Sequence, residues 1–394
     1  MKRHSFAWIG MSALLAVTLP VMAQAPDIQH MRAHPYVQIA NVPGNPNTPT
    51  GIFSVQYKAA YGFNQIPNQG QGMTIALIDA YDDPNVASDL ASYASYFHVG
   101  PCNFVKVKLG NPLQGQGWDL QESLDVEQAC ALAPQAVIVL VEANSDSLTD
   151  LLDAVAVAYS APYNATVVSM GWGAAEFSGE LADDSYFCNI LNDSAQPVTF
   201  VASEGGSCGT PTYPATSSCV VAVGGTALTL SSAPPSTALQ IIWGNETVFG
   251  GGGLSLYEAQ PPLQRLACAQ YSSTARCVPD VSADASPTPG VPVYDTYSQG
   301  GWVAVGGISV PTVDWASFLA LVNSLRASQG KSTLSQADPD LYTAYYSSNY
   351  RTDFHDISSG GAGLCQAVLG YDLATGIGSY QANNLYSPLV ADPN

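Results

Sequence analysis

Short apolar runs rich in β-branched residues recur along the chain: TIALIDA at 74–80, AVIVLVEA at 136–143, ATVVSM at 165–170, PVTFVAS at 197–203 and CVVAVGG at 219–225. Hydrophobicity unbroken over so few residues predicts strands buried on both faces, as in a parallel sheet. Between them lie VASDLASYASYF (86–97) and SLTDLLDAVAVAYS (147–160), with apolar residues at helical spacing and Asp or Ser caps at or before their first turns. Strand and helix alternation predicts an α/β fold, doubly wound, with a mostly parallel sheet and helices on both faces. Residues 26–47, running into NVPGNPNTPT, read as an extended lead-in rich in Pro and Asn, and 48–390 as a single domain without linker or repeat.

Composition narrows the partners. A chain of 394 residues with 47% apolar residues fills a core, and its formal net charge of −20 arises from only 11 Lys and Arg. So few bases exclude nucleic acid and anionic membrane surfaces as partners. Lys2 and Arg3, an apolar run from Phe6 to Val21 and small residues at Ala23 and Ala25 predict a signal peptide over 1–25. A retained membrane anchor is the alternative, but the run is short and holds Pro20. Export to the periplasm or beyond turns eight cysteines without CxxC spacing toward disulfides. Short loops favour Cys268 with Cys277 and Cys208 with Cys219. No membrane contact is expected once the signal is removed, and the protein is expected to act as a monomer.

Chemistry concentrates in two places. WDLQESLDVEQ (118–128) puts four carboxylates on one short helix. GGIS (306–309) sets Ser309 on a glycine turn ahead of VPTVDWASFLALVNSL, where Trp315, Phe318, Leu319 and Val322 mark a buried helical stripe. A serine at a helix N-terminus meets unpaired N–H groups that favour a developing oxyanion, although the same hydroxyl can simply cap the helix. A Ser-His-Asp triad needs a histidine in a loop of its own. His4, His30, His34, His98 and His355 offer none that convinces.

The strings ALIDAYDDPN (76–85), SLDVE (123–127), YPATSSCVVAVGGT (213–226), GGGGLSLYEAQPPLQ (250–264), PDVSADASPTPG (279–290), GWVAVGGIS (301–309) and GYDLATGIGS (370–379) resemble the sedolisin family, the serine-carboxyl peptidases, in order and over residues 48–385. The resemblance implies a subtilisin-like fold in which a glutamate paired with an aspartate activates a serine in acid, and a protonated aspartate helps to bind the oxyanion. Ser309 matches the nucleophile, with Gly-Ile-Ser in place of the usual Gly-Thr-Ser. Asp125 matches the aspartate of the pair.

Two positions depart from the family pattern. The glutamate, four residues before the aspartate and so on one helical face with it, is Gln121 here. An amide can hydrogen-bond but cannot take a proton, so assistance worth ~10²–10⁴ in rate is expected to be lost. The oxyanion aspartate position, at the end of Ala202-Ser203-Glu204-Gly205-Gly206, is Gly206. Glu122 is a candidate substitute base and Glu204 a candidate for the oxyanion role; the competing readings are a solvated helix residue and a loop acid. The family's large N-terminal prosegment has room here for only the short lead-in.

By the same resemblance one Ca²⁺ is expected near the C-terminus, bound by the side chains of Asp356 and Asp372 and the carbonyls of Ile357, Val368 and Gly370, a set of hard oxygens. Val368 stands where glycine is usual. The reading that follows is a secreted sedolisin-like protein, catalytically impaired, that binds peptide or protein segments. SMGWGAAE (169–176) and GGGG (250–253) would line a cleft for an extended strand. The alternative is an active acid serine endopeptidase using Ser309 and Asp125 with Glu122 displaced into the role of base. A different hydrolase on the same scaffold has no dedicated motif to support it.

Overall fold

Alternating side-chain direction along the buried strands builds two cores, one on each face of a central sheet. The computed structural model describes residues 28–40, 44–230, 238–244 and 250–392; the signal expected over 1–25 lies outside the described residues. The lead-in contributes β1 (His34–Pro35) and β2 (Gln38–Ile39), followed by α1 (Ser54–Tyr61), β3 (Thr74–Ala80), α2 (Val86–Phe97) and β4 (Asn103–Lys108). Then come α3 (Asp119–Leu132), β5 (Val137–Ala143), α4 (Leu148–Tyr159), β6 (Val167–Met170), β7 (Trp172–Ala175), β8 (Thr199–Ser203), β9 (Thr212–Tyr213) and β10 (Val221–Leu230). The rest comprises β11 (Ala238–Ile242), β12 (Gly253–Ala259), β13 (Ala275–Val278), β14 (Val281–Asp284), β15 (Val291–Asp295), β16 (Gly301–Gly306) and α5 (Ser309–Ser328). Last are α6 (Ala337–Tyr346), α7 (Tyr350–Asp353), β17 (Phe354–His355), β18 (Ser379–Tyr380) and α8 (Ala382–Ala391).

Across the sheet the order is β17, β18, β14, β10, β8, β6, β3, β5, β4, with β11 beside β10. Every neighbouring pair is parallel except β17 with β18 and β10 with β11. The five apolar runs are β3, β5, β6, β8 and β10. Ile75, Leu77, Ile138, Leu140 and Val201 face the core that holds α3 and α5, while Ala76, Ile78, Val139, Val141 and Phe200 face α4. The chain leaves β3 toward β5 and β4 on one side and later toward β6, β8 and β10 on the other. A crevice outside the carboxyl ends of the strands forms at such a reversal.

Two expectations change in detail. The stripe read on α5 is only part of its burial, because the helix is enclosed on all sides from Ser309 through Ser324, including Asp314 and Asn323. It runs between the sheet, α3 and α8. Likewise α3 is buried along its whole length, so its acids lie in the interior and not on a solvated face. The bonds are Cys102–Cys130, Cys188–Cys219, Cys208–Cys365 and Cys268–Cys277. Of the two pairings expected from short loops, Cys268–Cys277 is formed and Cys208–Cys219 is not. Cys219, in the turn before β10, packs against the core holding Phe187, next to Cys188 in the chain, whereas Cys208 packs on the C-terminal cluster of Ile357 and Cys365. Tertiary neighbours, not loop length, decide which sulfurs meet.

Candidate functional site

Ser309 is the first residue of α5 and is fully buried, because the lead-in lies over it. β1 pairs antiparallel with β7, His34 opposite Gly173 and Pro35 opposite Trp172, and β2 pairs antiparallel with β16. Between these two ladders, Tyr36 donates its N–H to the Ser309 hydroxyl oxygen at 3.2 Å and to the Gly171 carbonyl at 3.2 Å. The Ser309 hydroxyl donates to the same Gly171 carbonyl at 2.9 Å. Gly307, in the turn before α5, has φ +97, and a Cβ there would lie 1.7 Å from the Tyr36 carbonyl oxygen. Only glycine lets the lead-in pass so close to the turn. The half-buried Tyr36 ring rests on Trp243, Ala285 and Ile308.

Gln121 and Asp125 sit one turn apart on α3, and the Gln121 amide donates from Nε2 to Asp125 Oδ1 at 3.0 Å. Gly171 separates this pair from Ser309. Its carbonyl takes the serine hydroxyl, while a Cβ on it would lie 2.3 Å from Gln121 Nε2. Gly206 follows β8, and a Cβ there would contact the Tyr36 ring at 3.7 Å. Ser309, Gln121, Asp125 and Gly206 therefore lie around one crevice at the carboxyl ends of β6 and β8. The serine hydroxyl is satisfied by main-chain groups, and neither neighbouring position brings an acid to it.

The two candidate substitutes point elsewhere. Glu122 Oε2 accepts the Asp83 N–H at 3.1 Å, and its carboxyl pairs with Glu142. Glu204 is fully buried beneath the glycine loop, where a Cβ on Gly251 or Gly252 would lie 2.8 or 2.9 Å from its carboxyl oxygens. Burial removes the reading of Glu122 as a solvated helix residue, while Glu204 is an acid of the loop after β8, enclosed in the interior.

Asp79 and Glu142 escaped the sequence reading. They face each other in register at the ends of β3 and β5 and continue the acidic row from Asp125 to Glu122. An acid ending each of two adjacent apolar runs was the available signal. Burial first, then the charge of Glu142, raises Asp79; burial, then Asp79, pushes Asp125 well above the usual carboxylate range. Lys106, 2.6 Å from both Asp82 and Glu142, is the cation that closes the row. One cation against several interior carboxyls keeps most of them protonated. Tyr36 was missed as well, since nothing in an extended segment announces what it will cover.

In the C-terminal loop, Asp356 Oδ1 accepts the Gly370 N–H at 3.0 Å. Asp372 Oδ1 accepts from Ala374 N, Thr375 N and Thr375 Oγ1, leaving Oδ2 with only a long bond of 3.4 Å from Val368 N. Among the described residues, the carbonyls of Ile357, Val368 and Gly370 receive no hydrogen bond. Both carboxylates hold main-chain N–H groups of the 368–370 loop, and Arg351 Nη2 lies 4.0 Å from Asp356 Oδ2; carboxylate and carbonyl oxygens are the donor type that a hard divalent cation takes.

With this geometry in view, the comparisons with known proteins are specific. The model of the subtilase family matches residues 123–355, more than half of the chain. Kumamolisin from Bacillus sp. (strain MN-32) is 30% identical over 370 residues, an alignment covering 84% of this chain and 62% of that protein. Sedolisin from Pseudomonas sp. (strain 101) is 26% identical over 394 residues, covering 88% and 63%. The chain thus spans about three fifths of the length of the curated relatives it matches. Among solved structures, Pseudomonas sedolisin, a serine-carboxyl proteinase complexed with two molecules of pseudo-iodotyrostatin, superposes with a TM-score of 0.74 at 23% identity, covering 88% of this chain and 100% of that one. A lanthipeptide protease superposes less closely, with a TM-score of 0.53 at 14% identity over 85% and 93% of the two chains. The structural likenesses speak for the subtilisin-like fold, and the family match with the ordered sequence similarity goes further: this chain belongs to the subtilase family, in its sedolisin branch.

Proposed function

We propose that this protein is an exported, catalytically impaired sedolisin that binds extended peptide or protein segments in the crevice between β7 and β16. The observation that carries the reading is the state of Ser309: its hydroxyl is held by the Gly171 carbonyl and the Tyr36 N–H, with the Gln121 amide and Gly206 where the family places acids. A serine needs a neighbouring base to become a nucleophile. The alternative, an acid endopeptidase with Glu122 as base, loses support because that carboxyl is committed to Asp83 and Glu142. The antiparallel pairing of the lead-in with β7 supports an extended strand as the ligand. Four disulfides, and the lack among the described residues of a helix long and apolar enough to cross a membrane, fit the secreted or periplasmic location. The experiment is incubation of the purified protein with a denatured protein substrate from about pH 2 to 7, beside Ser309→Ala. No cleavage by either is expected; turnover that Ser309→Ala abolishes overturns the proposal.

The C-terminal loop is proposed to hold one Ca²⁺ through Asp356 and Asp372 and the carbonyls of Ile357, Val368 and Gly370. A cation bound only by the folded chain stabilises it by about 2.7 kcal/mol at a hundredfold excess over Kd. Chelator is expected to lower the melting midpoint, and Asp372→Asn to reduce that drop. An identical midpoint with saturating Ca²⁺ and with chelator counts against a calcium site.

A further inference from the structure

On the opposite side of α3 from the acidic row of Asp125, Asp79, Glu122 and Glu142, the fold assembles a second group of acids that neither the peptidase reading nor the C-terminal loop uses. Asp83 lies in the turn after β3, Asp89 on α2 and Asp295 at the end of β15. Carboxylate oxygens from these three buried residues lie within 4.8 Å of one another. Asp83 and Asp89 are six positions apart, and the tertiary fold brings Asp295 to them from more than 200 positions away. Around them stand Asp119 and Glu127, the latter accepting the Tyr294 N–H at 2.9 Å and thereby placed at the stem of Asp295.

An acidic cluster alone can be neutralised by protons. Two further oxygens point to a ligand. Glu127 is 0% exposed, its Oε1 has no partner, and the charges that bear on it, after burial itself, are those of Asp89, Asp295 and Asp83. Asp119 is 3% exposed, its Oδ1 is likewise without a partner, and it bears on Asp83 and Asp295. No ion pair among the described residues reaches any of the five. Lys106 is taken by Asp82 and Glu142 and touches Asp83 at its backbone carbonyl. Asp83 accepts from Asn85 N and Ser123 Oγ, Asp89 from Thr296 N and Oγ1, and Asp295 from Ser298 N and Oγ; these neutral donors leave five carboxyls together in the interior without a cationic side chain, which is costly in a low-dielectric setting.

We propose that Asp83, Asp89 and Asp295, with the open oxygens of Glu127 and Asp119, form a second cation site that takes Ca²⁺. The donors are all hard oxygens, and Ca²⁺ accepts six to eight of them at ~2.3–2.6 Å, so opposite ligands stand ~4.6–5.2 Å apart. Carboxylate oxygens that all lie within 4.8 Å of one another can share a single ion. Mg²⁺, at ~2.0–2.1 Å, requires a tighter octahedron and holds most of its waters. The neighbours of the cluster along the chain, Pro84, Tyr297 and Ser298, are exposed. An ion there ties α2 and α3 to the β15–β16 hairpin, and β16 is the strand on which β2 of the lead-in is laid.

The test uses the full chain carrying Asp372→Asn, which removes the C-terminal loop from the count. After stripping with chelator at pH 7.5, Ca²⁺ is titrated calorimetrically. One equivalent is expected to bind, with at least a tenfold loss of affinity when Asp89→Asn or Asp295→Asn is added, and with Mg²⁺ failing to compete at equal concentration. No binding in the Asp372→Asn background, or binding that neither added substitution weakens, overturns the proposal; displacement by equimolar Mg²⁺ overturns the assignment to Ca²⁺. Should the added variants not fold, crystals of the unsubstituted chain soaked in Tb³⁺ decide the matter. Anomalous density between Asp83, Asp89 and Asp295 upholds the site, and its absence there removes it.

Discussion

Gln121→Glu combined with Gly206→Asp is expected to give a peptidase active in acid, starting from a chain proposed above to be catalytically impaired. The first change is isosteric and sets a carboxyl oxygen where Nε2 now lies, 3.0 Å from Asp125 Oδ1. Two carboxyls so close cannot both ionise, so they hold one proton between them and act as a base for Ser309 only through that shared state. The second change places a carboxyl at the end of β8. The Gly206 backbone has no left-handed φ, and the new Cβ meets the Tyr36 ring at an ordinary 3.7 Å. General-base assistance contributes ~10²–10⁴ and an oxyanion donor ~10²–10³, but the parts of one catalytic unit are not additive. The double variant should therefore exceed either single one by about tenfold or more in cleavage of a denatured protein near pH 3–4. Ser309→Ala in the same background should abolish it. Since Tyr36 N–H already rests on the Ser309 hydroxyl and the Tyr36 carbonyl on the Gly307 turn, the first bond cut should be Tyr36–Val37, read by mass spectrometry of the stored protein. A double variant that is folded yet inert would show that more than two side chains separate this site from an enzyme.

The fold itself is expected to be most stable in acid, losing stability as pH rises from about 4 to 7. Burial raises Asp284 to about 7 against two backbone donors, Leu228 N and Ser286 N. Burial raises Asp340 to about 7 as well, with Asp392 beside it, and it pushes Asp314 and Glu204 well above the usual carboxylate range. In the unfolded chain these groups ionise near pH 4. Between the two values the folded state binds more protons than the unfolded one, so the free energy of unfolding falls with rising pH. The contribution is complete below the unfolded value and gone above the folded one. For Asp284, which is 1% exposed, a rise of about three units corresponds to about 4 kcal/mol. Asp82 acts in the opposite sense: despite its burial, Lys106 and Lys108 hold it below the ordinary value. It is one group against many. Chemical denaturation at pH 4, 5.5 and 7 should give a falling midpoint, and Asp284→Asn, which retains an Oδ1 acceptor for Leu228 N and Ser286 N, should flatten the slope. A midpoint that climbs steadily over that range would contradict the assignment of these carboxyls as neutral in the fold.

Much of this was legible before the structure. The five apolar runs became β3, β5, β6, β8 and β10, because burial on both faces leaves a continuous hydrophobic signature. The 3.6-residue period placed α2 at Val86–Phe97 and put Gln121 and Asp125 on one face of α3, where they hydrogen-bond. What escaped was the direction of Glu122, one residue from Gln121 and turned to Asp83 and Glu142. Sequence spacing states which side of a helix a residue occupies, but on a helix buried all round every side is interior, and the neighbours choose the partner.

The sequence by itself determined the five strands β3, β5, β6, β8 and β10, the helices α2 to α5, the family and the two substitutions that set this site apart, since each depends on residue type at local spacing. Only the tertiary structure decided that Tyr36 would lie on Ser309, 273 positions away along the chain, that Cys208 would join Cys365, and that Asp83, Asp89 and Asp295 would meet. The lead-in is held by main-chain hydrogen bonds, and every residue but proline carries the same N–H and C=O, so such a contact leaves no mark in the letters. The other two meetings depend on where distant segments are brought by the packing of the two cores.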